Sequence, residues 1–165
     1  MNEVLEYIEQ DTNDKIDRLE VEMSKLEPVD CPVTHHFIPH FYCRQIFMPK
    51  NTLVTSLIHN TFHPYVVSKG VVSVFTDEQQ ELLIDATEKP FSSITTPATR
   101  RVLFCHTDVI WTTFHPTEII PVDDSKEAID NAVNEIMNEI IEVRENKYLG
   151  GFLKNNKIIK TVENF

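Results

Sequence analysis

The chain has 165 residues, 41% of them hydrophobic, enough for one domain that buries most of its apolar surface. Its formal charge of −11 repels phosphate backbones and anionic lipid, which argues against nucleic acid or a membrane surface as a partner. Cys31, Cys43 and Cys105 form no CxxC pair and suit free thiols, and no run of ~18 apolar residues is present to span a bilayer, so a soluble protein of the reducing cytoplasm is expected.

The acid is unevenly spread: residues 1–27 carry −6, 28–122 carry −2, 123–145 carry −6 and 146–165 carry +3. These four segments read as an N-terminal amphipathic helix, a β domain, a C-terminal amphipathic helix and an extended C-terminal arm. In the first, Leu5, Thr12, Leu19 and Leu26 fall seven apart with Ile16 and Met23 between them, a heptad-like seam that Pro28 ends. Glu9 and Thr12 interrupt the seam. It suits equally a helix lying on its own barrel and one that pairs between subunits.

From Val29 to His40, prolines at 32 and 39 and the lack of a period predict an extended lead-in. Cys31, His35, His36, His40 and Cys43 cluster there, but C-x3-H-H-x3-H-x2-C matches no structural zinc spacing, and local capping is the better account of these histidines. Phe41–Met48 and Thr52–His59 predict a hairpin turning at Pro49-Lys50-Asn51. Pro64–Val67 and Val71–Phe75 predict another, turning at Ser68-Lys69-Gly70 with glycine in a left-handed conformation. A polar turn over Thr76–Glu81 leads to strands at Leu82–Ala86 and Phe91–Thr95. A last hairpin, Arg100–His106 with Val109–His115, would turn at Thr107-Asp108 and pair Phe104 with Trp111 in the core. Short strands at this spacing with no helix between them predict an all-β core of jelly-roll type.

Asp124-Ser125-Lys126-Glu127 has the form of a capping box and opens a helix with Ile129, Ala132, Val133, Ile136, Met137, Ile140 and Ile141 on one broad face. That face needs cover from the barrel or from a partner helix. Gly150-Gly151 then breaks the chain before Phe152-Leu153 and Ile158-Ile159, an arm ending at Phe165 of the kind that pairs on a sheet edge.

Two stretches carry a resemblance. Ile-His-Asn-Thr-Phe-His-Pro-Tyr-Val-Val-Ser-Lys-Gly at 58–70 and His-Thr-Asp-Val-Ile-Trp-Thr-Thr-Phe-His-Pro-Thr-Glu at 106–118 resemble the cupin superfamily, and more narrowly the small cupin-like proteins encoded by tailed bacteriophages and their prophages. The resemblance covers about residues 29–120. It implies a double-stranded β-helix, a cupin-like jelly roll flanked here by the N- and C-terminal α-helices, with a metal near one barrel mouth. Carried over from Gly70, His59 takes the place of the first motif's second histidine and His63 that of its glutamate, while Leu57 stands in the first histidine's place. In the second motif Pro97 fits the proline turn, Thr99 replaces the usual glycine, and Val102 lies near the place of the histidine.

Residues four apart on a straight strand are separated by ~13 Å, so His59 and His63 can share an ion only if the chain bends at Asn60-Thr61. A third ligand has to come from the last hairpin, whose ends are ~20 Å apart, so only one of His106 and His115 can contribute. The superfamily places its second-motif ligand near the proline turn, which favours His115, opposite Arg100; His106 is the alternative if the register differs. The expected cofactor is a divalent transition metal, which three imidazoles leave unspecified, binding a small oxygen-bearing ligand with no assigned reaction. Of Arg100 and Arg101, adjacent on a strand, at most one can face the barrel mouth. The competing reading is a metal-free jelly-roll structural or interaction module, a virion component assembling through its helices and arm. Expected partners are further copies of the chain, as a homo-oligomer, and phage structural proteins; the expected place is the host cytoplasm or the virion.

Overall fold

The computed structural model describes residues 2–76, 81–142, 144–146, 148–149, 151–153 and 159–161. The side chain of Leu5, most of the turn expected after Thr76, and Gly150, Ile158 and Phe165 of the arm lie outside the described residues. The elements run α1 (Asn2–Met23), β1 (Val33–Ile38), β2 (Phe41–Met48), β3 (Thr52–Thr55), β4 (His63–Lys69), β5 (Val71–Phe75), β6 (Glu81–Asp85), β7 (Phe91–Thr95), β8 (Val102–Cys105), β9 (Val109–Pro116), α2 (Lys126–Ile140), β10 (Arg144–Asn146), β11 (Gly151–Leu153) and β12 (Ile159–Thr161).

Two five-stranded sheets, ordered β1-β2-β9-β4-β7 and β12-β3-β8-β5-β6, face each other. Set aside the added edge strands β1 and β12, and the remaining eight have the strand order of a jelly roll. Burial alternates along β1, β8 and the His63–Val67 part of β4, and the row Ile46, Val54, Val67, Val72, Val74 and Trp111 fills the space between the sheets. Tyr65 stacks on Trp111 with ring centroids 4.5 Å apart, which fixes the middle of that core.

The three hairpins expected from the sequence do not form. β2 and β3, β4 and β5, and β8 and β9 each lie in opposite sheets, so Phe104 pairs with Leu53 and Ser73, and Trp111 with Ile46 and Val67. The turns themselves are where the residues put them. Asn51 has φ 65°, and Gly70 has φ 98° against Asp108, whose carbonyl oxygen would lie 2.1 Å from an added Cβ. A tight turn reverses the chain equally well beside its neighbour or across the sandwich, and nothing local distinguishes the two. Conversely, the lead-in contains a strand: β1 pairs with β2 across a turn at Pro39-His40, where His40 takes φ 71°.

α1 rests on its own barrel. Ile16 and Met23 are buried, and Thr12, Ile16 and Leu19 line one side of a space whose other side is Leu53, Val102 and Phe104. An ionic clasp holds it there: Arg100 donates to Asp17 at 2.8 Å and lies 3.1 Å from Glu20, Arg144 bonds both carboxylates, and the Asn146 amide donates to Glu20 at 2.8 Å. Burial pushes the Glu20 carboxyl up, but the Asn146 hydrogen bond and the two guanidinium charges outweigh it, and its pKa falls below the usual value.

α2 starts one residue later than the expected capping box. Ser125 is the N-cap and accepts from the Ala128 amide at 3.2 Å, while Asp123 accepts from the Ser125 amide. Its apolar face, with Ile136 and Ile140, covers one end of the barrel against Tyr42, Phe37 and Leu57. Among the described residues no helix is long and apolar enough to cross a membrane.

Candidate metal centre

The C-terminal turn of α2 leaves carbonyls with no partner inside the helix. The segment after β3 supplies partners: the Asn60 amide donates to Ile140 O at 2.9 Å, its side chain donates to Glu139 O at 2.9 Å, and the Glu142 amide donates to Ile58 O at 2.9 Å. His59 is thereby pinned to Ile141 in an isolated bridge at the barrel mouth, and the chain bends at Asn60-Thr61 into β4.

β4 begins at His63, which points inward in the same alternation as Tyr65 and Val67. On the neighbouring strand β9 the same inward row is Val109, Trp111, Thr113 and His115. The bend, the first residue of β4 and the far end of β9 therefore bring three imidazoles to one point. Ring centroids lie 4.3 Å apart for His59 and His63, 4.8 Å for His63 and His115, and 5.5 Å for His59 and His115. One nitrogen of each ring lies within 4.8 Å of the other two.

The cluster is covered. His63 is 3% and His115 2% exposed, and His59 is half-buried. Burial lowers the pKa of His63, the nearby Thr61 backbone works the other way, and the Arg101 cation adds to the lowering, so the ring favours the neutral form that ligates metals. Thr113 Oγ1 lies 3.0 Å from Nε2 of His115 and fixes that ring edge. Tyr42, the cross-strand partner of His115, stacks on it at 5.9 Å and holds its hydroxyl 2.7 Å from His35 Nδ1. Burial pushes the Tyr42 phenol up to about 12, so it keeps its proton.

The donor set suits a divalent transition ion. With metal–nitrogen bonds of ~2.0–2.1 Å, tetrahedral donors on one ion lie about 3.4 Å apart. The three nitrogens, within 4.8 Å of one another, reach that with a shift of roughly an ångström in each ring. His63 Nδ1 is buried with no hydrogen-bond partner among the described residues, the condition of a group whose natural partner is an ion or water. Beneath the rings a cavity of about 60 Å³ runs into the barrel, lined in part by Arg44, Arg101, Thr95, Thr113 and Trp111.

His106, the alternative to His115, lies elsewhere: its Nε2 is 2.7 Å from Ser73 Oγ, and its ring meets Phe104 edge-on at 5.0 Å. The pairing of Arg100 with His115 does not occur, because β8 and β9 belong to different sheets. Val102, near the place of the second-motif histidine, faces α1 instead, and Leu57 contributes to the apolar wall under α2. The lead-in histidines serve locally, with His40 Nδ1 2.7 Å from Glu118, and among the described residues the three-histidine group is the one set of such side chains close enough to share an ion. Sequence reasoning missed Arg44 and Tyr42. Their signal was the alternation of β2, in which Tyr42, Arg44, Ile46 and Met48 share a face and an arginine interrupts an apolar row.

No family model matches the sequence, and no curated protein matches it. Solved structures of similar shape include a cupin-2 domain protein from Shewanella frigidimarina, 10% identical with a TM-score of 0.42, covering 60% of this chain and 92% of that one. A second, RmlC-like cupin from the same organism is 17% identical with a TM-score of 0.43, covering 57% and 86%. The EutQ protein of Clostridium difficile is 13% identical with a TM-score of 0.43, covering 54% and 75%.

Proposed function

We propose that this chain is a cupin-type metal protein in which His59, His63 and His115 hold a divalent transition ion at the barrel mouth and present it to a small ligand inside the barrel. The observation that carries the reading is the meeting of three imidazoles from three separate elements under the end of α2, with donor nitrogens within 4.8 Å. An ion held this way supplies Lewis acidity toward an oxygen-bearing ligand. The chain's own residues do the rest: α2 keeps bulk water from the rings, Thr113 and Tyr42 hold His115 in place, and the cavity beneath limits what can approach. Kinship with phage-encoded proteins is part of this reading on the strength of stretches 58–70 and 106–118. So is assembly of copies, for which the exposed Ile38, Leu83, Ile94 and Val122 provide apolar surface and which light scattering tests.

Elemental analysis of protein purified without chelator tests the metal. Near-stoichiometric content of one transition metal is expected, lost in His59→Ala and His63→Ala. Substoichiometric content of every such metal, with the stability of His59→Ala unchanged, would leave the metal-free assembly module as the better account.

A further inference from the structure

The two outer faces of the sandwich differ in what lies over them. α1 lies over the sheet β12-β3-β8-β5-β6, where Ile16 and Leu19 approach Leu53, Val102 and Phe104. The outer face of β1-β2-β9-β4-β7 is open: α2 packs at the barrel end, and Ile38 on β1 and Ile94 on β7 are 62% and 60% exposed.

The register sets the outward residues of this open face in rows. Ile38 stands opposite Phe41 and Phe41 opposite Pro116; in the next row Cys43 stands opposite Phe114, and Pro64 opposite Ile94. The Phe41 and Phe114 rings meet between the rows with centroids 6.3 Å apart. Across the five strands the outward positions hold no Asp, Glu, Lys or Arg until Lys69, beyond the bulge at the end of β4, although 25% of the chain is charged.

An uncharged, apolar face on a chain of net charge −11 narrows the choice of occupant. A basic partner finds no carboxylate to pair with there. A second copy meets its own face without bringing like charges together, and α1, in the segment 1–27 that carries −6, stays on the far side of each sandwich. Five strands ~4.8 Å apart and ~20 Å long present roughly 24 by 20 Å in projection, which with side-chain relief approaches the ~800 Å² per partner of a standard interface.

We infer that two copies pack these faces together about a two-fold axis, sheet on sheet, with Phe114 of the central strand β9 near the middle of the contact. This rests on the assembly reading and gives it a surface. Of the exposed apolar residues, Ile38 and Ile94 belong to the interface, whereas Leu83, opposite Ser73 on β5, belongs to the other sheet.

The test is sedimentation equilibrium of the full chain over a wide range of concentration. A monomer–dimer equilibrium is expected, tightening as salt is added because screening weakens the repulsion between two acidic copies. Ile38→Glu and Ile94→Glu, at exposed positions where a charge does not disturb the monomer, each weaken the dimer at least tenfold. Ile94→Lys weakens it too, since a buried unpaired charge of either sign is unfavourable. Leu83→Glu, which adds the same charge to the other sheet, leaves the dimer intact, and circular dichroism confirms that all four variants are folded. A dimer unaffected by the Ile38 and Ile94 variants, one weakened equally by Leu83→Glu, or one that loosens as salt rises overturns the placement and leaves assembly standing. A wild type that is monomeric throughout overturns both.

Discussion

Arg100 and Arg101 are adjacent in the chain and serve opposite sides of one sheet: Arg100 reaches out to Asp17 on α1 at 2.8 Å, while Arg101 reaches into the barrel over Tyr65. The alternation of an extended backbone produces the split. One residue anchors a helix, and the next faces the site. Their substitutions should therefore differ in kind. Arg100→Ala removes one partner from a buried ionic cluster and should cost about 3–5 kcal/mol. Arg101→Ala gives up a cation–π contact worth roughly 1 kcal/mol. Urea denaturation of both variants measures the difference, and equal losses would contradict this division of labour.

The same clasp makes the docking of α1 sensitive to acid. The folded pKa of Glu20 lies below its ordinary 4.5, so its contribution to stability is fully present above that value and is lost as the pH falls through the depressed folded value. Glu20→Gln removes the charge at every pH. The stability gap between wild type and Glu20→Gln should thus be widest near neutrality, begin to shrink below pH 4.5 and close at lower pH. Thermal melts of the two proteins across this range check it; a gap independent of pH would mean that the Arg100 and Arg144 charges do not act through Glu20.

The jelly roll and the three-histidine group differ in how far the sequence reveals them. Strand positions follow from short apolar runs between turn residues, and the bend at Asn60-Thr61 was the stated condition for His59 and His63 to meet; the chain does bend there. The pairing of strands was not legible. Gly70 and Asn51 mark turns, but whether β5 returns beside β4 or crosses to the other sheet depends on how the whole sandwich closes. His115 accordingly reaches the cluster by a route other than the expected one, since its strand neighbours are Tyr42 on β2 and the β4 strand that carries His63. Arg44 was hidden for the same reason: it shares a cavity with Arg101, which arrives from the facing sheet.

Holding His63 ready for an ion should cost stability while none is bound. Its Nδ1 is buried with no hydrogen bond among the described residues, and such a group is worth about 1–3 kcal/mol against the fold. In metal-stripped protein, His63→Leu is expected to be as stable as wild type or more so. With metal at about 100 times its dissociation constant, wild type gains roughly 2.7 kcal/mol and the variant gains nothing. Paired melts with and without zinc read both halves. A variant less stable than wild type in the metal-free state would point to a packing role for the ring.

Gly70 is where the two sheets and the last turn depend on one backbone conformation. Its φ of 98° is one that residues with a Cβ rarely adopt, and an added Cβ would fall 2.1 Å from Asp108 O and 2.9 Å from Thr107 Oγ1. Thr107 Oγ1 also accepts a hydrogen bond from the Val71 amide at 2.9 Å, so displacing that loop would cost a second interaction. Because the clash is with backbone, no side-chain rotation relieves it. Gly70→Ala should lose about 2 kcal/mol or more, beyond the 1 kcal/mol or so of left-handed strain alone. The His59–His63–His115 cluster lies with Tyr42 at the α2-covered mouth, whereas Gly70 meets the Thr107-Asp108 turn, so metal affinity per folded molecule should be unchanged. Denaturant midpoints measured alongside zinc binding separate the two effects, and a Gly70→Ala protein of wild-type stability would mean that the turn adopts another conformation.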